Sequence, residues 1–164
     1  MPITDEDKRI LEEIDNLEPR ANCLRAKIAA AIVKDGKILV SHCNDWHPET
    51  PCTDIGCIRN IQKVKSGSKR EICYGICAEQ WCLALAAKKG ISVDGATIYC
   101  TKHPCRVCAS MIAEAGIKRV VYQEGYPDAL PNWDILESKG ITVEQGPNIH
   151  YPDDAPEELK SPTI

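Results

Sequence analysis

Apolar and polar residues alternate with a helical period at the start of the chain. The apolar positions of this first stretch are Ile10, Leu11, Ile14 and Leu17. They follow the i, i+3, i+4, i+7 spacing of one helix face. Thr4 and Asp7 stand at the spacing of a capping box just before it. The pattern therefore predicts a helix over residues 4–17.

Two short apolar runs come next and change the period. Residues 27–33 and 37–40 are rich in alanine, isoleucine and valine, and Asp35-Gly36 separates them. An Asp-Gly pair between two apolar runs is a strong signal for a β-hairpin, because both turn residues must take a positive φ. We predict two antiparallel strands here.

Helical and strand patterns then alternate through the second half of the chain. Residues 77–89 form an amphipathic pattern that ends at Gly90, and residues 105–115 form another that ends at Gly116. A glycine just past the last periodic residue is a common helix end. Predicted strands cover 96–101, 118–122 and 141–143, with a further short helix over 135–139.

This alternation predicts an α/β fold, a three-layer α/β/α sandwich with a mixed sheet. The chain of 164 residues fits one domain over 1–150. Residues 44–74 are a polar, irregular insertion, and a long loop of this kind inside a domain is usually functional or held by something extra. Residues 151–164 are predicted to be an acidic tail that packs little.

Composition narrows the classes of protein. The net charge is −4, which argues against non-specific nucleic-acid binding. No apolar run is long enough to cross a membrane, and the first residues do not resemble a signal peptide. We therefore expect a cytoplasmic protein with reduced thiols, in which ten cysteines indicate metal binding and not disulfides.

The candidate chemistry lies in a split cluster of cysteines. Cys77 is followed two positions later by Glu79, and Cys105 and Cys108 form a Pro-Cys-x-x-Cys motif. Three thiolates suit a catalytic zinc, which keeps its fourth position for water. Cys77 and Cys105 each begin a predicted helix, where main-chain amides and the helix dipole stabilise anionic sulfur.

The alternative is a structural zinc closed by a fourth ligand nearby. Cys82 and Cys100 are the nearest candidates. Cys82 lies five residues after Cys77, so on a helix it faces a different side. Cys100 stands in a strand pattern, where a free cysteine usually acts as a small apolar residue. An open catalytic site is therefore the favoured hypothesis.

An open zinc next to a carboxylate indicates hydrolytic chemistry. Zinc lowers the pKa of its bound water to about 7. Glu79 is placed to take that proton and pass it to a ring nitrogen and then to a departing amine. The sequence signature of zinc deaminases combines a carboxylate with Pro-Cys-x-x-Cys in this way. We predict removal of an exocyclic amino group from an aromatic ring.

Residues 5–145 resemble the deoxycytidylate deaminase branch of the cytidine deaminase-like superfamily. Beyond the metal motif, the resemblance rests on 22–27, 32–36, Asn44, 66–67, 78–80, 116–122 and 126–128. It implies a cytidine deaminase-like fold and a nucleotide substrate. It also implies that Asn44 bonds the sugar, that Arg25 reaches a 5′-phosphate, and that Ala78 and Tyr126 lie along the ligand.

Two departures from that branch bear on the substrate. The branch usually has histidine as its first zinc ligand, where this chain has Cys77. Three thiolates make the site more negative, and Arg106 or a network of amides is the expected compensation. Where the branch reads Gly-Tyr-Asn-Gly, this chain reads residues 42–45, His-Cys-Asn-Asp. Asp45 would repel a phosphate, which favours an unphosphorylated substrate.

The resemblance also implies a second, structural zinc. Its ligands would be Cys23, Cys52, Cys57 and Cys73. A four-thiolate site would hold an insertion that has too few apolar residues to fold alone. The alternatives are free thiols, or a different ligand set with His42 or His47.

Trp81 and a short basic run are most simply interpreted as structural and surface features. Trp81 could form a wall of the active site, although tryptophans at such places are more often core residues. Lys63, Lys65, Lys69 and Arg70 form a small basic run, which we interpret as a solvated loop, with an anion site as the alternative.

The leading hypothesis is a zinc-dependent deaminase of a cytosine nucleotide that converts dCMP to dUMP. The alternatives are a deaminase of a nucleoside, a free base or another amino-heterocycle, and a non-enzymatic zinc module that binds partners. A nucleic-acid substrate is disfavoured by the acidic charge. We expect a small-molecule substrate, no membrane association and a homo-oligomer.

Overall fold

A computed structural model describes residues 2–44, 52–65, 68–125 and 135–147. Two parts of the sequence predictions, Tyr126 and the acidic tail, lie outside these ranges. So do Asp45 and His47. None of the helices within these ranges has the length and apolar character needed to cross a bilayer.

Six α-helices and five strands alternate along the described ranges. In chain order they are α1 (Asp5–Leu17), β1 (Ala29–Lys34), β2 (Lys37–Cys43), α2 (Cys52–Ile55), α3 (Ile58–Ile61), α4 (Ala78–Lys88), β3 (Thr97–Lys102), α5 (Arg106–Glu114), β4 (Arg119–Glu124), α6 (Ile135–Ser138) and β5 (Thr142–Gln145). Single 3₁₀ turns cover Glu18–Arg20 and Arg70–Ile72.

The five strands form one mixed sheet in the order β2-β1-β3-β4-β5. β1 pairs antiparallel with both β2 and β3, whereas β3, β4 and β5 run parallel. Asp35 and Gly36 join β1 to β2 with φ values of 51° and 72°. Both turn residues thus take the positive φ that the Asp-Gly pair predicted, and the hairpin is confirmed.

Helices cover both faces of the sheet. β1 is apolar from Ala29 to Val33, because these residues are buried on both sides of the sheet, as in other interior strands. Its residues Ala30 and Ile32 join the core that contains Cys82 and Ala86 of α4 and Ile112 of α5. Ala29, Ala31 and Val33 join the opposite core with Ile10, Leu11 and Ile14 of α1. The predicted three-layer sandwich with a mixed sheet is confirmed.

A buried polar group fixes α1 to the sheet. Thr4 and Asp7 form the predicted capping box, and Asp7 is 1% exposed. The Asp7 carboxylate accepts hydrogen bonds from Arg119 of β4 at 2.7 and 3.0 Å and from the Tyr99 hydroxyl of β3 at 2.6 Å. Arg119 also contacts Glu144 of β5. One carboxylate therefore connects a helix to two strands.

The insertion has more local structure than the sequence predicted. Two helices of four residues each, α2 and α3, and the 3₁₀ turn at Arg70–Ile72 lie in the part of it that the structure describes. Helices this short lack a repeating apolar period, so pattern reading cannot detect them. Elsewhere the predicted ends of helices and strands differ from the observed ends by at most three residues.

Candidate active site

The N-terminus of α4 places the first cysteine of the site. Cys77 caps this helix with an extended backbone, φ −65° and ψ 154°. Its main-chain N–H donates to Oε1 of Gln80 at 2.9 Å, which fixes the first turn. Cys77 is 6% exposed, so its sulfur lies at a buried helix start where the dipole favours negative charge.

The N-terminus of α5 supplies two more sulfurs. Cys105 caps α5 after Pro104, and Cys108 follows one turn later on the same face. Their Sγ atoms are 3.5 Å apart. The sulfurs of Cys77, Cys105 and Cys108 all lie within 4.8 Å of one another. Two helix starts therefore converge on one point.

These separations fit a zinc ion. With Zn–S bonds of about 2.3 Å, tetrahedral geometry sets neighbouring sulfurs about 3.8 Å apart. Cysteine sulfur is also a donor that zinc prefers. Within the described ranges, no second group of three ligand atoms lies within 4.8 Å of one another.

The three thiols hold their protons as one coupled group. A hydrogen bond with Cys108 and, to a smaller extent, one with Cys77 lower the pKa of Cys105. The hydrogen bond with Cys105 raises the pKa of Cys108, and it also raises the pKa of Cys77. Sulfurs this close favour a shared cation over separate protons.

Glu79 lies in the first turn of α4 and points into the protein. Its side chain is 3% exposed. Among the described residues, no group bonds its buried Oε2. Burial, assisted by the charge of Cys105, raises the pKa of Glu79 to about 7. A buried carboxylate oxygen without a protein partner is unfavourable unless a ligand or water bonds it, which marks the position as functional.

Arg70 is a residue beside the three sulfurs that the sequence reasoning did not place there. One nitrogen of its guanidinium contacts the sulfur of Cys77. Burial alone lowers the pKa of Arg70, but the charges of Cys77, Cys105, Cys108 and Glu79 outweigh burial and raise the pKa.

The structure thus adds a cation that the sequence reasoning did not name beside Arg106 and a network of amides. Arg106 is exposed, and the cation at the Cys77 sulfur is Arg70, which the sequence pattern places in a solvated loop. Arg106 adjoins Cys105 along the chain, whereas Arg70 lies in a turn seven residues before Cys77 that folds back onto the site. The negative charge of three thiolates indicates that a cation is needed, but it does not indicate which basic residue supplies it.

Cys82 and Cys100 lie outside the three-sulfur group. The Cys82 thiol donates to the main-chain oxygen of Ala30 at 3.3 Å, and burial raises the pKa of Cys82 to about 12. Cys100 is fully buried in β3, and burial raises the pKa of its thiol as well. Both side chains are neutral apolar residues of the core.

Asn44 and Arg25 support the chain where it enters β1. The Asn44 amide accepts from the N–H of Ile28 at 2.8 Å and donates to the oxygen of Ala26 at 2.7 Å. Arg25 donates to the main-chain oxygen of Val64 at 2.9 Å. Both side chains thus already support the fold, which the sequence did not indicate.

Ala78 and Trp81 are two further residues that the sequence analysis places near the substrate, and the structure describes both. Ala78 is the first residue of α4 and is fully buried between Cys77 and Glu79. Tyr126 lies outside the described residues. Trp81 stacks on His42 of β2, with ring centroids 4.6 Å apart and an angle of 21° between the planes.

The four cysteines of the predicted second zinc site lie near one another but do not form a compact group. They are Cys23, Cys52, Cys57 and Cys73. Cys52 and Cys57 are buried, with 8% and 7% exposure. Burial raises the pKa of Cys52, and the charges of Cys57, Cys73 and Cys23 raise it further. Those three thiols therefore lie near enough to Cys52 to interact, although no three of the four sulfurs meet the 4.8 Å distance.

Comparison with known proteins decides the family. Residues 4–124 match the family model described as "Cytidine and deoxycytidylate deaminase zinc-binding region". The chain belongs to this family. The matched range includes Cys77, Glu79, Cys105 and Cys108, so the resemblance noted from the sequence is confirmed and zinc is the metal of the family's site.

Individual relatives agree with the family. The deoxycytidylate deaminase of Enterobacteria phage T2 is 44% identical over 75 residues, which are 45% of this chain and 40% of the phage protein. ComE operon protein 2 of Bacillus subtilis is 33% identical over 127 residues, 77% of this chain and 63% of that protein. The chain therefore spans less than two thirds of the length of these relatives.

A solved structure matches along its whole length. The dCMP deaminase of cyanophage S-TIM5, in complex with dCMP and dUMP, is 30% identical with a TM-score of 0.71. The match covers 88% of this chain and 100% of that one. The fold of this family member is therefore the cytidine deaminase-like fold.

Proposed function

We propose that this protein is a zinc-dependent hydrolytic deaminase that converts dCMP to dUMP with release of ammonia. The observation that carries the proposal is the convergence of three cysteine sulfurs beside a buried Glu79 whose Oε2 has no partner among the described residues. The names of the phage relatives and the dCMP complex of the cyanophage enzyme support the choice of substrate.

The residues present divide the reaction between them. Cys77, Cys105 and Cys108 would hold the zinc, which when bound supplies Lewis-acid activation of water near neutral pH. Glu79 takes a proton from the attacking water and delivers it to N3 of the cytosine ring. It then carries the second proton to the amino group, which leaves as ammonia. Oε2 of Glu79 is the oxygen that can take up and release these protons, because no described group of the protein bonds it.

The burial of Glu79 serves this proton transfer. Burial raises the pKa of this carboxyl group, which helps it to take up a proton as well as to release one. Ala78 is fully buried between Cys77 and Glu79. Because its side chain is only a methyl group, the main chain of α4 can lie close to the cytosine ring there. The helix start thereby presents the carboxylate and the first sulfur to the same ligand.

Arg25 and Asn44 are proposed to recognise the sugar phosphate. Arg25 has five N–H donors, and its bond to Val64 uses only part of them. The Asn44 amide likewise keeps one N–H and one lone pair beyond its two main-chain bonds. Because both side chains are already held by main-chain atoms, they would meet a nucleotide in a fixed orientation. Tyr126 is proposed to lie along the same ligand.

One observation favours a second candidate. His42-Cys43-Asn44-Asp45 puts an acidic residue next to Asn44, where it would repel a phosphate. Deamination of an unphosphorylated nucleoside, free base or other amino-heterocycle is therefore the alternative. A non-enzymatic zinc module is disfavoured, since such a module has no use for a buried carboxylate beside the metal.

We also propose a structural zinc held by Cys23, Cys52, Cys57 and Cys73. The charge effects on Cys52 support it, because three thiols of the insertion and Cys23, which precedes β1, are stabilised when a cation draws their sulfurs together. The enzyme is further expected to be a cytoplasmic homo-oligomer, as the sequence predicted.

The test is ammonia release from a panel of dCMP, deoxycytidine, cytidine, cytosine and guanine by the zinc-loaded protein. The proposal predicts the highest kcat/KM for dCMP. A preference for deoxycytidine or a base over dCMP would select the alternative. No ammonia from any amine, in protein that holds zinc, would refute a deaminase.

A further inference from the structure

Arg59 is a buried cation to which the proposed reaction gives no role. It lies in the short helix α3 and is 7% exposed. Its guanidinium donates to the main-chain oxygen of Lys65 at 3.4 Å. Within the described ranges its buried Nε has no hydrogen-bond partner, and the ion pairs there join other residues. Arginine is seldom buried without a negative partner, because its charge is costly to remove from water.

Arg25 reaches the same segment of the insertion. Its guanidinium donates to the main-chain oxygen of Val64 at 2.9 Å, one residue before the acceptor of Arg59. Consecutive residues lie about 3.8 Å apart, so two side chains that bond neighbouring carbonyls meet in one region. Two positive charges repel each other there, and an anion bound between them removes the repulsion.

The sequence repeats one spacing around the two arginines. Each lies two residues after a cysteine of the proposed structural zinc site, in Cys23-Leu24-Arg25 and Cys57-Ile58-Arg59. The charges of Cys23 and Cys57 both act on Cys52, so the segment before β1 lies beside the insertion. The two segments therefore bring their arginines to the same place from opposite parts of the chain.

Asn44 places this pair next to the proposed sugar site. Its amide donates to the main-chain oxygen of Ala26, the residue after Arg25. Asn44 continues β2, and it lies two residues after His42, whose ring stacks on α4. Alternate residues of a strand face the same side of the sheet. Asn44 is therefore on the side that α4 covers, and the arginine beside Ala26 lies where the phosphate of a nucleotide follows its sugar.

We propose that Arg59 is a specificity-determining residue that binds the 5′-phosphate together with Arg25, so that the insertion selects a phosphorylated substrate. Guanidinium presents its N–H groups in a fork that fits two phosphate oxygens. Two guanidinium charges also exceed the single negative charge of Asp45, which favours the alternative substrates. The inference rests on the proposed nucleotide substrate and deepens it.

The test compares the binding of dUMP and deoxyuridine to the zinc-loaded protein by isothermal titration calorimetry. Both are products of the proposed reaction or of its alternative, so no turnover disturbs the measurement. Arg59→Met should weaken dUMP binding about 10- to 100-fold, as expected for lost hydrogen bonds to a charged group, and should leave deoxyuridine binding unchanged. Arg59→Gln should do the same, although its amide can still donate to the carbonyl of Lys65.

Lys63→Gln is the matched control. Lys63 is exposed and lies in the same insertion, so the substitution removes one positive charge that water and salt already screen. It should leave the affinity for dUMP unchanged. Inorganic phosphate provides a further measurement on the wild-type protein, because it should compete with dUMP and should not compete with deoxyuridine.

Three results would overturn the proposal. The first is an equal loss of dUMP and deoxyuridine binding in the Arg59 variants, which would mean that Arg59 only supports the fold. The second is dUMP binding at the wild-type affinity in those variants. The third is a wild-type protein in which phosphate does not compete with dUMP. Circular dichroism shows whether each variant is folded, and if Arg59→Met is not, Arg59→Gln and the phosphate competition decide.

Failure of this inference can be told apart from failure of the proposed reaction. A protein that releases no ammonia from dCMP but binds dUMP through Arg59 is not a dCMP deaminase, and the phosphate site stands. A protein that deaminates dCMP, and in which Arg59→Met affects dUMP and deoxyuridine alike, refutes only the role of Arg59.

Discussion

Replacing Asp7 with asparagine is expected to destabilise the protein strongly, although the residue is far from the candidate active site in the sequence. Asp7 is 1% exposed and binds Arg119 through two hydrogen bonds of 2.7 and 3.0 Å. It also accepts from the Tyr99 hydroxyl at 2.6 Å. Asparagine keeps the shape of the side chain but removes its charge, so Arg119 loses one of its two acidic partners.

The magnitude follows from burial. Removing one partner of a buried ion pair costs about 3–5 kcal/mol, because the remaining charge stays in a poorly solvated place. Total stabilities of domains are about 5–15 kcal/mol, so this loss is a large share. For a domain of this size it lowers the melting temperature by about 6–20 °C.

Urea denaturation of the zinc-loaded protein measures the effect. Asp5→Asn is the matched control, since Asp5 lies in the same first helical turn and meets the same helix dipole, but its side chain is fully exposed. The control should unfold close to the wild type. A loss of less than about 1 kcal/mol for Asp7→Asn, below the typical cost of a single mutation, would refute the reasoning that this network fixes α1 to the sheet.

The carboxylate of Asp7 also leads us to predict that the protein loses stability as the pH falls. Burial alone raises the pKa of Asp7, but bonds from Arg119, Tyr99 and Thr4 outweigh burial and hold the pKa well below its usual range. The stability from the ionised form is therefore complete above about pH 4, the pKa of an unfolded aspartate, and is lost as the pH falls below it. Asp7→Asn should show a shallower loss between about pH 5 and 2 than the wild type, and parallel curves would contradict this.

Two further predictions concern the insertion and the start of β1. Arg25→Met should raise KM for dCMP about 10- to 100-fold, the worth of a hydrogen bond to a charged group, and should leave KM for deoxycytidine nearly unchanged, as steady-state ammonia release would show. An equal effect on both substrates would mean that Arg25 acts only through its bond to Val64. Cys52→Ser should lower the zinc content from two ions to one per chain in elemental analysis, whereas Cys82→Ser should leave it unchanged. A single zinc in the wild-type protein would contradict the second site.

The elements with a long, regular pattern could be predicted from the sequence. α1 has both a period and a capping box, and the Asp35-Gly36 turn fixes the β1–β2 hairpin by its own backbone requirement. Ala29 to Val33 of β1 are a continuous apolar run because they are buried on both faces. The convergence of Cys77, Cys105 and Cys108 could also be predicted, since Cys-x-Glu and Pro-Cys-x-x-Cys place all three sulfurs in the first turns of helices.

The parts that could not be predicted depend on contacts between distant residues. The Asp7–Tyr99–Arg119 network joins residues that are 92 and 112 positions apart, and no local pattern marks such pairs. The pattern assigns Arg70 to a solvated loop because a short basic run looks the same whether its side chains face water or a thiolate. Asn44 gives no sign of its bonds to Ile28 and Ala26, which depend on how β1 begins.

Glu79→Gln tests the central claim most directly, because it changes the proposed proton carrier and leaves the three sulfurs intact. Zinc content and ammonia release from dCMP should be measured on the same sample. The account predicts a full complement of zinc and a fall in kcat of at least about 10²- to 10⁴-fold, the range of a lost general acid–base group. A Glu79→Gln protein that holds zinc and deaminates dCMP at close to the wild-type rate would contradict it.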